Sequence, residues 1–210
     1  METGERFGPT RRGGPVFRWL GEPLAIDLAN TVMVVRDGGE AVDLLSTPAD
    51  LKRWLEGEGD RLGGYSSLAG DLAAIRELRD AVRELLTAVV DGGRPPQKAV
   101  AVLNAASEKA PAAPLLDLSA GTLVRSETPA SAESGAALLG VLARGAIEFL
   151  TGPQTEKVRI CRAPSCGMFF LGTRRWCCSA CGNRARAARH YEKRRAARAA
   201  EQRRAAASPR

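Results

Sequence analysis

All five cysteines of this 210-residue chain fall between positions 161 and 181, and that clustering constrains the fold more than any other feature. Cys161 and Cys166 flank a short loop containing Pro164, and Cys177, Cys178 and Cys181 follow a link that ends in Trp176. Two short-spaced thiol groups joined by a loop are what tetrahedral Zn²⁺ requires. Each group folds back to present two thiolates at about 2.3 Å, and the metal closes the segment between them. Local spacing offers Cys178, because Cys178-Ser179-Ala180-Cys181 is the commoner C-x2-C pair, but Cys177 stands beside it. Five cysteines cannot all pair as disulfides.

Charge divides the chain at the same place. The formal net charge of +7 conceals 16 Lys and Arg against 21 Asp and Glu in residues 1–153, and 15 against 3 in residues 154–210. A slightly acidic body thus carries a strongly basic extension, as expected when one part meets a polyanion and the other does not. Gly182-Asn183-Arg184 follows the last cysteine, and Arg186, Arg189, His190, Lys193, Arg194, Arg195 and Arg198 come next in a stretch whose Ala, Arg and Glu content favours helix. A metal knot feeding a basic helix predicts a nucleic-acid-binding finger.

Met1 to Gly14 is polar, with no apolar stretch of a secretory leader behind it, and no apolar run approaches the eighteen or so residues a membrane span needs. These features predict a cytoplasmic protein with no membrane partner. Reduced thiols in that compartment favour metal over disulfide.

The body reads as mostly helical with a small β component. Val16 to Trp19 and Leu24 to Leu28 are short apolar stretches. Thr47-Pro48-Ala49-Asp50 starts a helix: Thr47 caps, Pro48 fits the first turn, and Asp50 meets the free amides. That helix runs through Leu51, Trp54 and Leu55 to Gly57. From Asp71 the residues Leu72, Ile75, Leu78, Val82, Leu85, Leu86 and Val89 recur at helical spacing, while Arg76, Arg79 and Arg83 are expected to face elsewhere; Asp91-Gly92-Gly93 ends this helix. A further helix is predicted over Pro96 to Lys109 with Val100 and Leu103 inward. Leu115 to Leu118 and Thr122 to Ser126 read as a β-hairpin around Ser119-Ala120-Gly121. Ser131 caps the next helix, which carries Leu138, Leu142, Ile147, Phe149 and Leu150, and Gly152-Pro153 marks the domain boundary.

Signals for catalysis are poor, and the chain reads as a non-enzyme. Gly57-Glu58-Gly59 lies in a turn rather than after a strand, so it is no phosphate loop. His190 is the only histidine and sits in the basic helix, which excludes a Ser-His-Asp or Cys-His device in the body. Asp27 and Asn30, polar residues three apart in an apolar segment, share one face of a helical turn. They serve either to bond buried backbone or to contact a small-molecule effector.

Arg175-Trp176-Cys177-Cys178-Ser179-Ala180-Cys181-Gly182-Asn183-Arg184, followed by Arg189-His190-Tyr191, is very similar to the CGNR zinc finger. Gly21 to Thr31, with Ile26-Asp27-Leu28-Ala29-Asn30-Thr31, resembles the opening of the ABATE domain that precedes this finger, and Pro48-Ala49-Asp50-Leu51 fits it too. The resemblance covers Val16 to about Arg195 and implies a bacterial, stress-linked transcription regulator that binds DNA. It also implies Cys177 as ligand, giving Cys161, Cys166, Cys177 and Cys181 around one structural zinc. Similar fingers have one cysteine after the tryptophan and then a serine, whereas here Cys177 and Cys178 are adjacent. His190, nine residues past Cys181, would lie roughly 13 Å along a helix and cannot share the ion.

The expected architecture is α+β. Residues 1–15 form a flexible N-terminus, and 16–153 a helical domain with a hairpin near 115–126. Residues 154–198 form a treble-clef or ribbon-like finger running into a basic helix, and 199–210 a frayed or disordered basic tail. A closed Zn²⁺ site leaves no position for activated water, so the metal is structural. Phe169, Phe170, Leu171 and Trp176 are expected to pack around the metal loop, and Asn183 to cap the helix. Arg184, Arg186, Arg189, His190, Lys193, Arg194 and Arg195 are the nucleic-acid candidates, most meeting phosphates and one or two reading base edges. The body then senses a small molecule or drives oligomerisation, with a homodimer as the form considered. Two other classes fit the same residues: an RNA-binding protein, or an enzymatic body localised by its finger.

Overall fold

The computed structural model describes residue 17 and residues 21–33, 41–62, 71–129 and 135–207. The expected cap at Ser131, the N-terminus and most of the Val16–Trp19 stretch lie outside them.

Helix α1 (Leu24–Ala29) starts the body, and β1 (Val32–Met33) pairs with β2 (Val42–Asp43). Helix α2 (Pro48–Gly57) begins at a full capping box: the Thr47 hydroxyl accepts from Asp50 N, and the Asp50 carboxylate accepts from Thr47 N. A short helix, α3 (Gly59–Leu62), leads on to α4 (Asp71–Asp91) and α5 (Gln97–Lys109). The hairpin strands are β3 (Ala112–Ser119) and β4 (Thr122–Pro129), and α6 (Gly135–Thr151) closes the body. A 3₁₀ turn (Thr155–Lys157) precedes β5 (Val158–Ile160), which pairs antiparallel with β6 (Phe169–Leu171), and α7 (Ser179–Ala207) completes the chain.

The core lies where α1, α4, α5 and α6 meet. Ile26, Leu28, Ile75, Leu78, Val82, Leu86, Leu103, Leu138 and Leu142 are buried there, with Trp54 of α2 against them. Gly140 lets α6 approach the end of α5, because a Cβ there would come within 2.8 Å of the Ala110 carbonyl. The hairpin turns through Ala120 and Gly121, both at positive φ (49° and 79°), the two-residue turn that matches strand twist.

Two expectations about the body fail. Val100 is 39% exposed; the buried pair on α5 is Ala99 and Leu103, four apart, and Val100 sits off that stripe. Arg79 does not face away but is 3% exposed, because position 79 lies on the same stripe as Ile75 and Val82. Its guanidinium is matched by Asp43, donating to Oδ1 at 2.6 Å and Oδ2 at 3.1 Å, while Arg76 donates to Asp43 Oδ2 at 2.8 Å. Burial opposes ionisation of Asp43, but the bonds from Arg79, Leu45 N and Arg76 outweigh it and hold its carboxyl below the usual range. Arg83 also turns inward, donating to the Ala29 and Val32 carbonyls.

At the other end, α7 reaches Ala207, past the point where a frayed tail is expected. Its run of Ala, Arg, Glu and Gln has high helix propensity throughout.

Candidate metal centre and its basic helix

The C-x4-C loop turns on itself through Ser165, whose φ is 54°, with Cys166 N donating to the Ala163 carbonyl at 3.0 Å. Cys161 N donates to the Met168 carbonyl at 2.9 Å, which ties the loop to the β5–β6 ribbon. The second half of the knot comes from the start of α7. Cys177 precedes the helix, and Cys181 lies in its first turn. Gly182 packs beneath Trp176, whose Cδ1 would lie 3.2 Å from any Cβ at that position.

The thiols of Cys161, Cys166, Cys177 and Cys181 are all buried, and their sulfurs lie within 4.8 Å of one another. Cys166 and Cys177 Sγ are 3.8 Å apart, and Cys177 and Cys181 Sγ are 3.5 Å apart. A tetrahedron with Zn–S bonds of about 2.3 Å has edges of about 3.8 Å. Four-sulfur chemistry and this spacing suit one structural zinc ion. Cys178 is only half-buried, with Sγ 4.0 Å from that of Cys177 and outside the cluster, so Cys177 completes the four-sulfur group despite the attraction of C-x2-C spacing.

Four thiolates packed this closely need a cation. Hydrogen bonds from Cys166 and Cys177 pull the Cys161 thiol down to about 2. The same bonding, seen from Cys177, pushes that thiol up. Burial and the negative charge of Cys166 push Cys181 up to about 12. A divalent ion removes the conflict, because each bound sulfur is then a thiolate facing positive charge.

The surroundings differ from expectation in three places. Arg184 is half-buried: its Nη2 donates to Cys181 Sγ at 3.0 Å and its Nε is buried, so this nucleic-acid candidate also supports the metal ligand. Asn183 does not cap, because α7 starts at Ser179; instead its side-chain oxygen accepts from Arg186. Of the four apolar residues expected around the metal loop, Phe170 and Trp176 pack there, whereas Phe169 and Leu171 turn to the body's core.

That division arises because the finger docks on the body. Asn30 offers its amide like a strand: Nδ2 donates to the Phe169 carbonyl at 2.9 Å, and Phe169 N donates to Oδ1 at 2.8 Å. Leu171 N donates to Glu22 Oε2 at 3.0 Å, and Arg174 pairs with Glu22 Oε1 at 2.8 Å. Arg83 stands over the Phe169 ring at 5.5 Å. Asn30 is therefore spent on backbone, the structural of its two expected roles, rather than free for a ligand. Asp27 is bound to Arg61 at 2.7 Å and shares that arginine with Glu58. Burial raises the Asp27 carboxyl to about 6 and the Glu58 carboxyl to about 7, against the opposing pull of Arg61. Two depressions on the body, of about 690 and 600 Å³, are lined by residues of α4 and α5 and their surroundings, not by Asp27 or Asn30. Glu22 and Arg61 escaped the sequence reading; only Glu22's place beside Gly21 and Pro23 hinted at it.

Along α7, Arg186, Arg189, His190, Lys193, Arg194 and Arg195 are exposed, as is each side chain from Tyr191 to Arg203. No helix among the described residues is long and apolar enough to cross a membrane.

Comparison with known families agrees with this anatomy. The ABATE family model, described as "Putative stress-induced transcription regulator", matches residues 22–153. The CGNR zinc finger model matches residues 157–194. No curated protein matches the chain.

Proposed function

This chain belongs to the ABATE family and carries a CGNR zinc finger beyond residue 157, and from that premise we propose that it is a DNA-binding transcription regulator whose basic helix engages duplex phosphates. The observation that carries this reading is α7 itself. A helix of 29 residues extends about 44 Å and has charged side chains on every side. Past the buried Cys181 and Ala185, the helix is polar all round and has no face to bury in its own protein. Cationic groups arranged along it suit a polyanion, and its first turn is anchored by Cys181 in the zinc knot.

In this reading zinc sets the direction in which α7 leaves the body. Arg186, Arg189, His190, Lys193, Arg194 and Arg195 supply the contacts, mostly to phosphate. Arg184 contributes through the metal site rather than through a base edge. The docked body is the regulatory part, acting by response to a small molecule or by self-association.

Titration of full-length protein with duplex DNA, single-stranded DNA and RNA over a range of salt tests the proposal. Duplex preference with steep salt dependence supports it. Preference for structured RNA would move the reading to an RNA-binding protein, and equal indifference to all three would overturn it.

A further inference from the structure

We propose that the β3–β4 hairpin is a self-association surface whose occupant is a second copy of this chain; the idea rests on the self-association half of the reading above. The strands pair in register from Ala112↔Pro129 to Ser119↔Thr122, and cross-strand partners share a face. Leu116, Leu118 and Leu123 lie on one face and are between 66% and 72% exposed. Leu115 and Val124, also exposed, lie on the other. Among the described elements, none makes more than marginal contact with either strand, and the Arg125–Glu148 pair at 3.1 Å links the hairpin to α6. Among the described residues no third strand joins either edge, and a two-stranded ribbon with wet leucines is marginal by itself.

Three features select a second copy as the occupant. An antiparallel strand edge is complementary to itself about a two-fold axis, so the same edge on another chain meets its own donors and acceptors. Charge points the same way: residues 112–129 hold one cation, Arg125, against Asp117 and Glu127. Two copies therefore repel little, and the ribbon has no basic excess for the polyanion that α7 addresses. Apolar surface points the same way: edge pairing sets the leucine faces of two copies side by side on one ribbon, so wet apolar surface is reduced together with an open edge.

Sedimentation equilibrium of the zinc-loaded full chain, without nucleic acid, tests this at about 1 to 100 µM. The expected mass is twice 22.3 kDa at the upper concentrations. Leu118→Lys with Leu123→Lys should weaken association at least about tenfold while helix content and zinc stoichiometry stay unchanged. Val100→Lys, on exposed α5 surface, should leave the mass alone. A wild-type monomer throughout, or a dimer indifferent to the paired lysines, overturns the proposal. Hydrogen exchange of the hairpin amides gives a second readout without substitution: protection must rise with protein concentration, and protection that does not rise also overturns it. Since no nucleic acid is present, an intact dimer that fails to bind duplex would count against the role of α7 alone.

Discussion

Between residues 71 and 151 the chain buries Ile75, Leu78, Val82, Leu86, Leu138 and Leu142 on helices whose apolar stripes face one another. Between residues 161 and 185 it buries four thiols, Ala163, Met168, Phe170 and Ala185. The first region has enough apolar surface to hold its shape by burial. The second does not, since a core of that size falls far below what an independent fold needs, so the metal supplies the missing cohesion. The two are joined by polar bonds and by Val158 and Phe169 of the β5–β6 ribbon, which pack into the body's core. Asn30, Glu22 and Arg83 grip Phe169 and Leu171, whose side chains belong to the body although their neighbours belong to the metal. Loss of metal should therefore be felt across the seam, and loss of body packing much less so at the metal.

Removing zinc should have the largest effect, because structural zinc contributes about 10–16 kcal/mol to domains of this kind. Chelation, or Cys166→Ser, should abolish the one-to-one zinc stoichiometry and disorder residues 158–182, while circular dichroism keeps the signal of α4 to α6. The body's melting temperature should also fall, since Val158 and Phe169 leave its core. Cys177→Ser should behave like Cys166→Ser and Cys178→Ser like wild type, by metal analysis; the reverse order would show that C-x2-C spacing decides.

Next in size comes the body's buried ion pair. Asp43→Ala leaves buried Arg79 with only the exposed Asp80 carboxylate beside it, which costs about 3 kcal/mol in chemical denaturation, the lower end for a broken buried pair. Zinc content should be unchanged. A loss of zinc with this variant would mean that the body and the finger are not separately held.

Asn30→Ala probes the seam and should cost about 1–3 kcal/mol, because the buried Phe169 N–H and carbonyl both lose their partner. Unlike the ion-pair variant, it should speed hydrogen exchange on both sides of the seam, at Phe169 and in α1. An effect confined to one side would break the comparison drawn above.

The smallest expected effect is on pH dependence. Burial raises Glu58 to about 7 and Asp27 to about 6, so folding favours their protonated forms. Stability from these groups is fully present below their ordinary values of 3.8 and 4.5 and is lost as pH rises from there to about 6 and about 7. Glu58→Gln should remove its share, making the variant less pH-dependent than wild type between about 4.5 and 7 and more stable above that window. Subtracting variant from wild-type denaturation midpoints cancels the thiols of the finger. A difference independent of pH would mean that Glu58 is ionised throughout.

Much of this anatomy is legible where a single local rule decides. Thr47-Pro48-Ala49-Asp50 carries its own capping chemistry, Asp71 to Asp91 repeats its apolar residues at helical spacing, and Ala120-Gly121 suits the hairpin turn. The clustered cysteines announce the metal, although only the folded geometry separates Cys177 from Cys178. What stays hidden depends on partners far away in sequence. Nothing near Arg79 reveals Asp43, and Asn30 meets Phe169 across 139 positions. Arg184 looks like its basic neighbours until Cys181 is seen beside it.

The central claim, that α7 is a phosphate-binding arm fixed by zinc, is tested most directly by the salt dependence of duplex binding. Residues 154–210 carry a balance of +12, and if about half of those charges meet phosphate, log K should fall by about 4 to 6 per decade of salt. Arg189→Ala with Lys193→Ala should flatten that slope by about two units while leaving zinc and fold intact. A full-length protein that binds duplex with no salt slope, or a double variant with the wild-type slope and affinity, would contradict the account.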